Sequence, residues 1–220
     1  MPGDSHRSLA SILTFVLVLW FLVVLAAGAA GAFESGPTRP PLAVLVAVAA
    51  PLLAFAAAYR GSRRFRDAVL SVDLGLITAF QSWRVIGLTF LFFYAFDLLP
   101  GAFAWPAGVG DAAVGFAAPF VVMAIVRRRP TWRRQAMLLN VAGLVDFVVA
   151  IGAGVLTSNN AIGVLSGAGA RVSLGSLPLS LIPTFAVPLW TIFHIVSLIQ
   201  LARSAPAVSF SDSAAASASI

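Results

Sequence analysis

The sequence predicts an all-α fold: a polytopic membrane helical bundle of six transmembrane helices with both termini cytoplasmic. Composition is one reason. Of the 220 residues 60% are hydrophobic and 10% charged, whereas a soluble surface needs about a quarter charged residues. A second reason is the presence of six predominantly apolar runs, each near the ~20 residues with which a helix spans a bilayer. They are Leu9–Gly31, Pro41–Tyr59, Ile77–Leu99, Ala107–Val126, Gln135–Leu156 and Pro178–Leu201. The third is the placement of charge. All fourteen basic residues are arginines: eleven lie on one side of these spans, two on the other and one inside a span. Arginine excess marks the cytoplasmic side, and both ends inside is the arrangement with which every loop agrees. Runs this long and uniformly apolar do not suit the alternating ~10-residue strands of a membrane barrel.

Taken in order, the first span follows Arg7 and has two readings. The core Ile12–Leu25 with the small residues Ala26–Ala32 resembles a secretory signal, but the uncharged stretch Ser8–Phe33 is long for a signal core. A retained helix is expected, and cleavage would leave five spans in the same orientation. The second span contains Pro51 and ends on Arg60, Arg63, Arg64 and Arg66. Within Arg63–Gly75 and just beyond it, Phe65, Val69, Val72 and Leu76 recur at helical spacing, which predicts a short amphipathic helix in the inner interface. The third span carries Arg84. In the connection Leu98–Gly110, Pro100 and Pro106 read as helix stops, with Trp105 in the interfacial belt. The fourth span then opens near Asp111 and ends on Arg127, Arg128, Arg129, Arg133 and Arg134. The fifth holds Asp146, eleven residues after Gln135 and so about 16 Å deep. The connection Thr157–Leu177 includes Asn159, Asn160 and Arg171, and the sixth span is interrupted by Pro183 and Pro188. Residues 1–203 thus form one membrane domain, and the Ala/Ser-rich residues 204–220 a disordered cytoplasmic tail.

Missing residue types exclude much chemistry. Without lysine there is no Schiff base and no phosphate-loop lysine. Without cysteine there is no disulfide, iron–sulfur centre or thiol nucleophile. Two histidines and a single glutamate make a poor metal inventory, so neither cofactor nor metal is expected and an enzyme is the less favoured class. The net charge of +6 follows from topology and is not a nucleic-acid footprint. The clusters Arg60–Arg66 and Arg127–Arg134 are placed to attract anionic lipid headgroups.

The motifs RVIG at Arg84–Gly87, LP at Leu99–Pro100, FAWPAGVGD at Phe103–Asp111 and NVAGLVDFVVA at Asn140–Ala150 resemble those of an uncharacterised family of bacterial multi-pass membrane proteins. That resemblance implies a bacterial inner-membrane location and brings no activity with it.

Ionisable residues inside spans cost about 2.5–3.5 kcal/mol each on insertion scales and face protein rather than lipid. Arg84 is about 10 Å deep in its span. It either snorkels to the inner headgroups or reaches toward Asp146, leaving an axial gap for a side chain and a water to close. A paired Arg84–Asp146 would frame a polar cavity; the plainer alternatives are an assembly clamp, or a snorkelled arginine with a protonated aspartic acid. Gln81, Asn140 and His194 lie at similar depth to Arg84 and complete a candidate polar layer, although His194 and Asn140 equally suit interhelical hydrogen bonding. Gly87, Gly143, Gly152 and Gly154 read as close-packing positions. Asp97 and Asp111 are outer-mouth candidates: Asp111 reads as a helix cap, while Asp97 ends a helix and wants solvent or Arg171. Three functions remain open. One is a small carrier or binding protein whose Arg84 attracts an anionic group of a small-molecule ligand. Another is a structural or accessory subunit with a membrane-protein partner. The third is a membrane-embedded enzyme acting on a lipid or quinone.

Overall fold

The computed structural model describes residues 3–165 and 172–204, with side chains from residue 11 onward. Arg171 and the tail from residue 205 lie outside the described residues. Helices α1 (Gly3–Ala29) and α2 (Leu42–Gly61) precede two short helices, α3 (Arg63–Leu70) and α4 (Leu74–Phe80). From α4 a 3₁₀ segment, Gln81–Gly87, leads into α5 (Leu88–Ala95). Two long helices follow, α6 (Gly101–Val126) and α7 (Trp132–Thr157). One π turn, Ile182–Ala186, then opens into α8 (Val187–Arg203). No strand occurs among the described residues. Six helical stretches are long and apolar enough to cross a membrane: Ser11–Ala29, Leu42–Gly61, Leu74–Ala95, Gly101–Val126, Trp132–Thr157 and Ile182–Arg203.

Hydrogen bonds between connections gather the arginine clusters at one end of the bundle. Arg133 Nη2 donates to the Leu201 carbonyl at 2.7 Å, and Nη1 to that of Ser204. Gln200 Nε2 donates to the carbonyls of Leu70 and Val72 at 3.0 and 2.7 Å, and Arg66 Nε to that of Tyr59 at 3.1 Å. The opposite end joins the remaining connections: Ser176 Oγ donates to Glu34 at 2.8 Å, and the Val172 amide to the Leu98 carbonyl at 3.2 Å.

The amphipathic segment divides in two. Ser62 Oγ accepts from the Phe65 amide at 3.2 Å and starts α3; Asp73 Oδ1 accepts from Leu76 at 2.7 Å and starts α4. Val69 is buried, with Phe65 and Val72 packed among Phe55 and Ile192. The break between the helices shifts the phase, so Leu76 is exposed rather than continuing that face.

The fourth span begins six residues before the expected Ala107, at Gly101. Pro100 does not stop a helix: its extended backbone, φ −70° and ψ 141°, is the entry to one. Pro106 lies within the second turn, where it costs the Ala102 carbonyl its usual donor without ending the helix. Packing around α6 is layered. Towards the Glu34 end, Phe90, Leu99, Phe103, Ala104, Ala107 and Leu179 form an apolar core. Towards the arginine-rich end, Val114, Ala118, Val121, Ala136, Leu139 and Leu201 form another. Between Ala107 and Val114 lies Asp111, at the level of the polar cluster. Helices α1 and α2 are peripheral: α2 buries no residue, and α1 packs Trp20 and Phe21 against Phe185, with ring centroids 4.7 and 5.2 Å apart.

Candidate functional site

The site is organised by the 3₁₀ segment. With three residues per turn, side chains at i and i+3 eclipse, and the buried residues of the segment are indeed Gln81, Arg84 and Gly87. The same geometry deepens Arg84. Its span starts at Leu74, three residues before the expected Ile77, and the 3₁₀ rise is about 2.0 Å per residue. Arg84 therefore reaches the level of Asp146, and the expected axial gap is absent.

Arg84 is wholly buried, at 0% exposure, and each guanidinium nitrogen meets protein. Nε donates to Asp111 Oδ1 at 2.7 Å. Nη2 donates to Asp146 Oδ2 in a second ion pair. Nη1 lies 3.1 Å from His194 Nε2 and 3.4 Å from the Gly143 carbonyl. The Phe147 ring covers one face, 3.9 Å from Cζ to centroid, a cation–π contact. His194 Nδ1 in turn lies 2.8 Å from Asn140 Oδ1, and Asn140 Nδ2 donates to the Ala136 carbonyl at 2.7 Å.

These contacts assign the protons. Arginine has only donors, so His194 Nε2 must present its lone pair. The proton of the neutral imidazole then sits on Nδ1 and is donated to Asn140 Oδ1. The Ala136 carbonyl demands a donor, which fixes the amide orientation of Asn140. Any other assignment leaves two acceptors or two donors facing each other. Both ring nitrogens of His194 are thereby committed to Arg84 and Asn140.

Three glycines make room. A Cβ at Gly87 would strike Asp111 Cβ and stand 2.8 Å from its Oδ2; one at Gly143 would stand 2.8 Å from Arg84 Nη1 and strike the His194 ring; one at Gly110 would strike the Asp146 carboxylate. Gly87 thus marks a close approach of the 3₁₀ segment to α6, as its reading as a packing position implies, whereas Gly143 clears the ends of the His194 and Arg84 side chains. Gly152 faces open space, and a Cβ at Gly154 would make only ordinary contacts with Leu174 and Phe103.

The structure brings Arg84, Asp146, Asn140 and His194 together and adds Asp111, which is an interior residue of α6 and not the cap of its start. It lies ten residues, or about 15 Å, beyond Gly101. Asp97 does not join it. That aspartate is exposed, and its positive φ of 55° places it as the left-handed residue closing α5. There the Leu98 amide donates back to the Phe93 carbonyl at 2.9 Å, as in a Schellman ending. Gln81 shares the buried face of Arg84, and its Oε1 has no hydrogen-bond partner. Nor is Arg84 free for an anionic ligand, since all three of its nitrogens are occupied.

Above the cluster lies a cavity of about 380 Å³, within the size range of small-molecule sites. Asp111 and Phe147 stand at its deep end with Phe90, Ile151 and Val187; Glu34, Ser158, Asn159 and Asn160 line its mouth. Pro183 of the π turn forms part of its wall. The sequence points to a polar cavity framed by Arg84 and Asp146, with Asp111 at an outer mouth; it does not show that the cavity is largely apolar or that Asp111 belongs to the cluster. A signal for the latter was present: Ala104, Gly108, Asp111, Gly115 and Ala118 follow helical spacing and are all buried, so the acid sits on a face otherwise made of small residues.

Residues 41–202 match a family described as a domain of unknown function, DUF8737, and the chain belongs to that family. The matched region runs from α2 through nearly all of α8 and contains every residue of the cluster. No curated protein and no solved structure matches the chain.

Proposed function

We propose that this DUF8737 protein is an integral protein of a bacterial inner membrane that binds or carries a small, largely apolar molecule. In this reading both termini are cytoplasmic, and the ligand enters the cavity from the outer side. The observation that carries it is a 380 Å³ cavity lined by aromatic and aliphatic side chains that descends into the bundle and ends on a charged cluster. Ligand sites are typically built this way, from apolar walls and a few polar groups that fix orientation. The orientation is supported by the arginine clusters gathered at the end away from the cavity mouth, where they would also meet anionic headgroups.

The absence of cysteine makes single-cysteine labelling a direct test. Cysteines at Ile151 and Val187, which line the cavity, are compared with cysteines at Val148 and Phe120, which are exposed at 72% and 75% on the bundle exterior. A water-soluble maleimide added outside should label the cavity positions and spare the lipid-facing ones. Equal protection of all four positions would exclude an aqueous entrance.

A second reading, an accessory subunit with a structural cluster, is favoured by the full occupation of Arg84. The two separate on Asp146→Asn. A carrier loses ligand handling at normal abundance, whereas a structural clamp loses abundance or its co-purifying partner.

A further inference from the structure

We infer that the cavity selects lipophilic monovalent cations, which rests on the binding reading above and specifies its ligand class. Charge counting is the starting point. One guanidinium and two carboxylates sum to −1, and the neutral His194 adds nothing. The cluster is neutral only when one further positive charge, a proton or a cation, joins it. Burial places that excess charge on the cavity side: Arg84 is 0% exposed, whereas the Asp111 side chain retains 13% and lines the cavity. An incoming ligand therefore meets the carboxylate and not the guanidinium. The mouth agrees in sign, since Glu34 lies there, and among the described lining residues no cationic side chain occurs. The walls agree in chemistry. Phe90 and Phe103, which meet edge to face with centroids 5.0 Å apart, supply aromatic surface of the kind that holds organic ammonium groups. Apolar walls exclude hydrated inorganic ions and lower the local dielectric, which strengthens the attraction between Asp111 and a cation. An anion of the same shape would face a floor and a mouth that both repel it.

Three probes of similar shape and different charge isolate this term: phenyltrimethylammonium, its neutral carbon analogue tert-butylbenzene, and benzenesulfonate. Full-length Ile151→Cys protein in detergent is labelled with maleimide in the presence of each. Phenyltrimethylammonium should protect Cys at that position at the lowest concentration and benzenesulfonate should fail to protect. Adding Asp111→Asn should raise the half-protecting concentration of the cation at least tenfold and leave that of tert-butylbenzene unchanged. Protection by tert-butylbenzene equal to that by the cation, or by the cation equally well in the Asp111→Asn background, would overturn the charge selection while leaving a working cavity. Failure of the position to label without any probe would instead overturn the cavity itself.

Discussion

Removing Arg84 should be far more damaging than removing either of its acidic partners, and the damage should be repairable by charge alone. Arg84→Gln leaves two carboxylates facing each other in the bundle interior, a local charge of −2. Breaking a buried pair by deleting one partner costs about 3–5 kcal/mol, because the survivor stays buried and uncompensated. For a chain of this size 1 kcal/mol corresponds to roughly 2–4 °C in Tm, so Arg84→Gln should lower Tm by roughly 6–20 °C. Asp111→Asn and Asp146→Asn each bring the cluster to zero while retaining an oxygen that accepts from the guanidinium. Each should stay within about 1 kcal/mol of the parent, the net worth of an ordinary hydrogen bond. The double Asn variant leaves the arginine unpaired at +1 and should fall with Arg84→Gln. The decisive protein is the triple variant, Arg84→Gln with Asp111→Asn and Asp146→Asn, which is neutral and should recover most of the loss. Thermal unfolding in one detergent, followed by circular dichroism, ranks all five. If the triple variant is no more stable than Arg84→Gln, the loss comes from the missing arginine stem and its Phe147 contact, and the charge account is wrong.

Three further predictions follow from the surrounding geometry. Gly143→Ala should cost about 1–3 kcal/mol by overpacking against His194 and Arg84, whereas Gly152→Ala on the same helix meets open space and should hold or raise Tm; equal effects would mean that Gly143 is not a clearance position. Nitrogen-15 NMR of histidine-labelled protein should show His194 with Nδ1 protonated and Nε2 bare, and a protonated Nε2 would contradict the contact with Arg84. Asp97→Gly should be tolerated or raise Tm slightly, because glycine adopts the left-handed backbone of that position without a Cβ penalty; a loss of cation protection at the Ile151 position in that variant would restore Asp97 as part of an outer binding mouth.

Much of this bundle is legible in the sequence because six apolar runs, each near the length with which a helix can cross a bilayer, are separated by polar or arginine-rich connections, and each run forms one long helical stretch. Asp146, Asn140 and His194 are legible for a related reason: a polar side chain deep in an apolar run must find protein. Asp111 was obscured by a local rule applied to the wrong turn. Proline removes one donor, which breaks a helix in its middle but suits its beginning, so Pro100 opens α6 and Pro106 is carried in its second turn. Moving the helix start by six residues turns a cap into a core residue. The depth of Arg84 was hidden differently. Nothing in QSWRVIG by composition announces a 3₁₀ winding, which emerges where Gly87, Gly108 and Gly115 let this segment close against α6.

Asp111 is also the residue that weighs against a purely structural role. A clamp between the third and fifth spans needs one positive and one negative group, and Arg84 with Asp146 already provides them at zero net charge. A second carboxylate adds a charge that the bundle must leave uncompensated or neutralise from outside. Well-packed apolar residues commonly replace buried ion pairs without loss of stability, so packing alone gives no reason for the third charge. Opening that charge onto an apolar cavity does give one, because the missing positive partner can then be a ligand that comes and goes. The same imbalance separates the two readings experimentally. If neutralising Asp111 abolishes selection for the cation while Tm holds, the charge serves binding; if it lowers Tm and leaves selection intact, the charge serves the joint between helices.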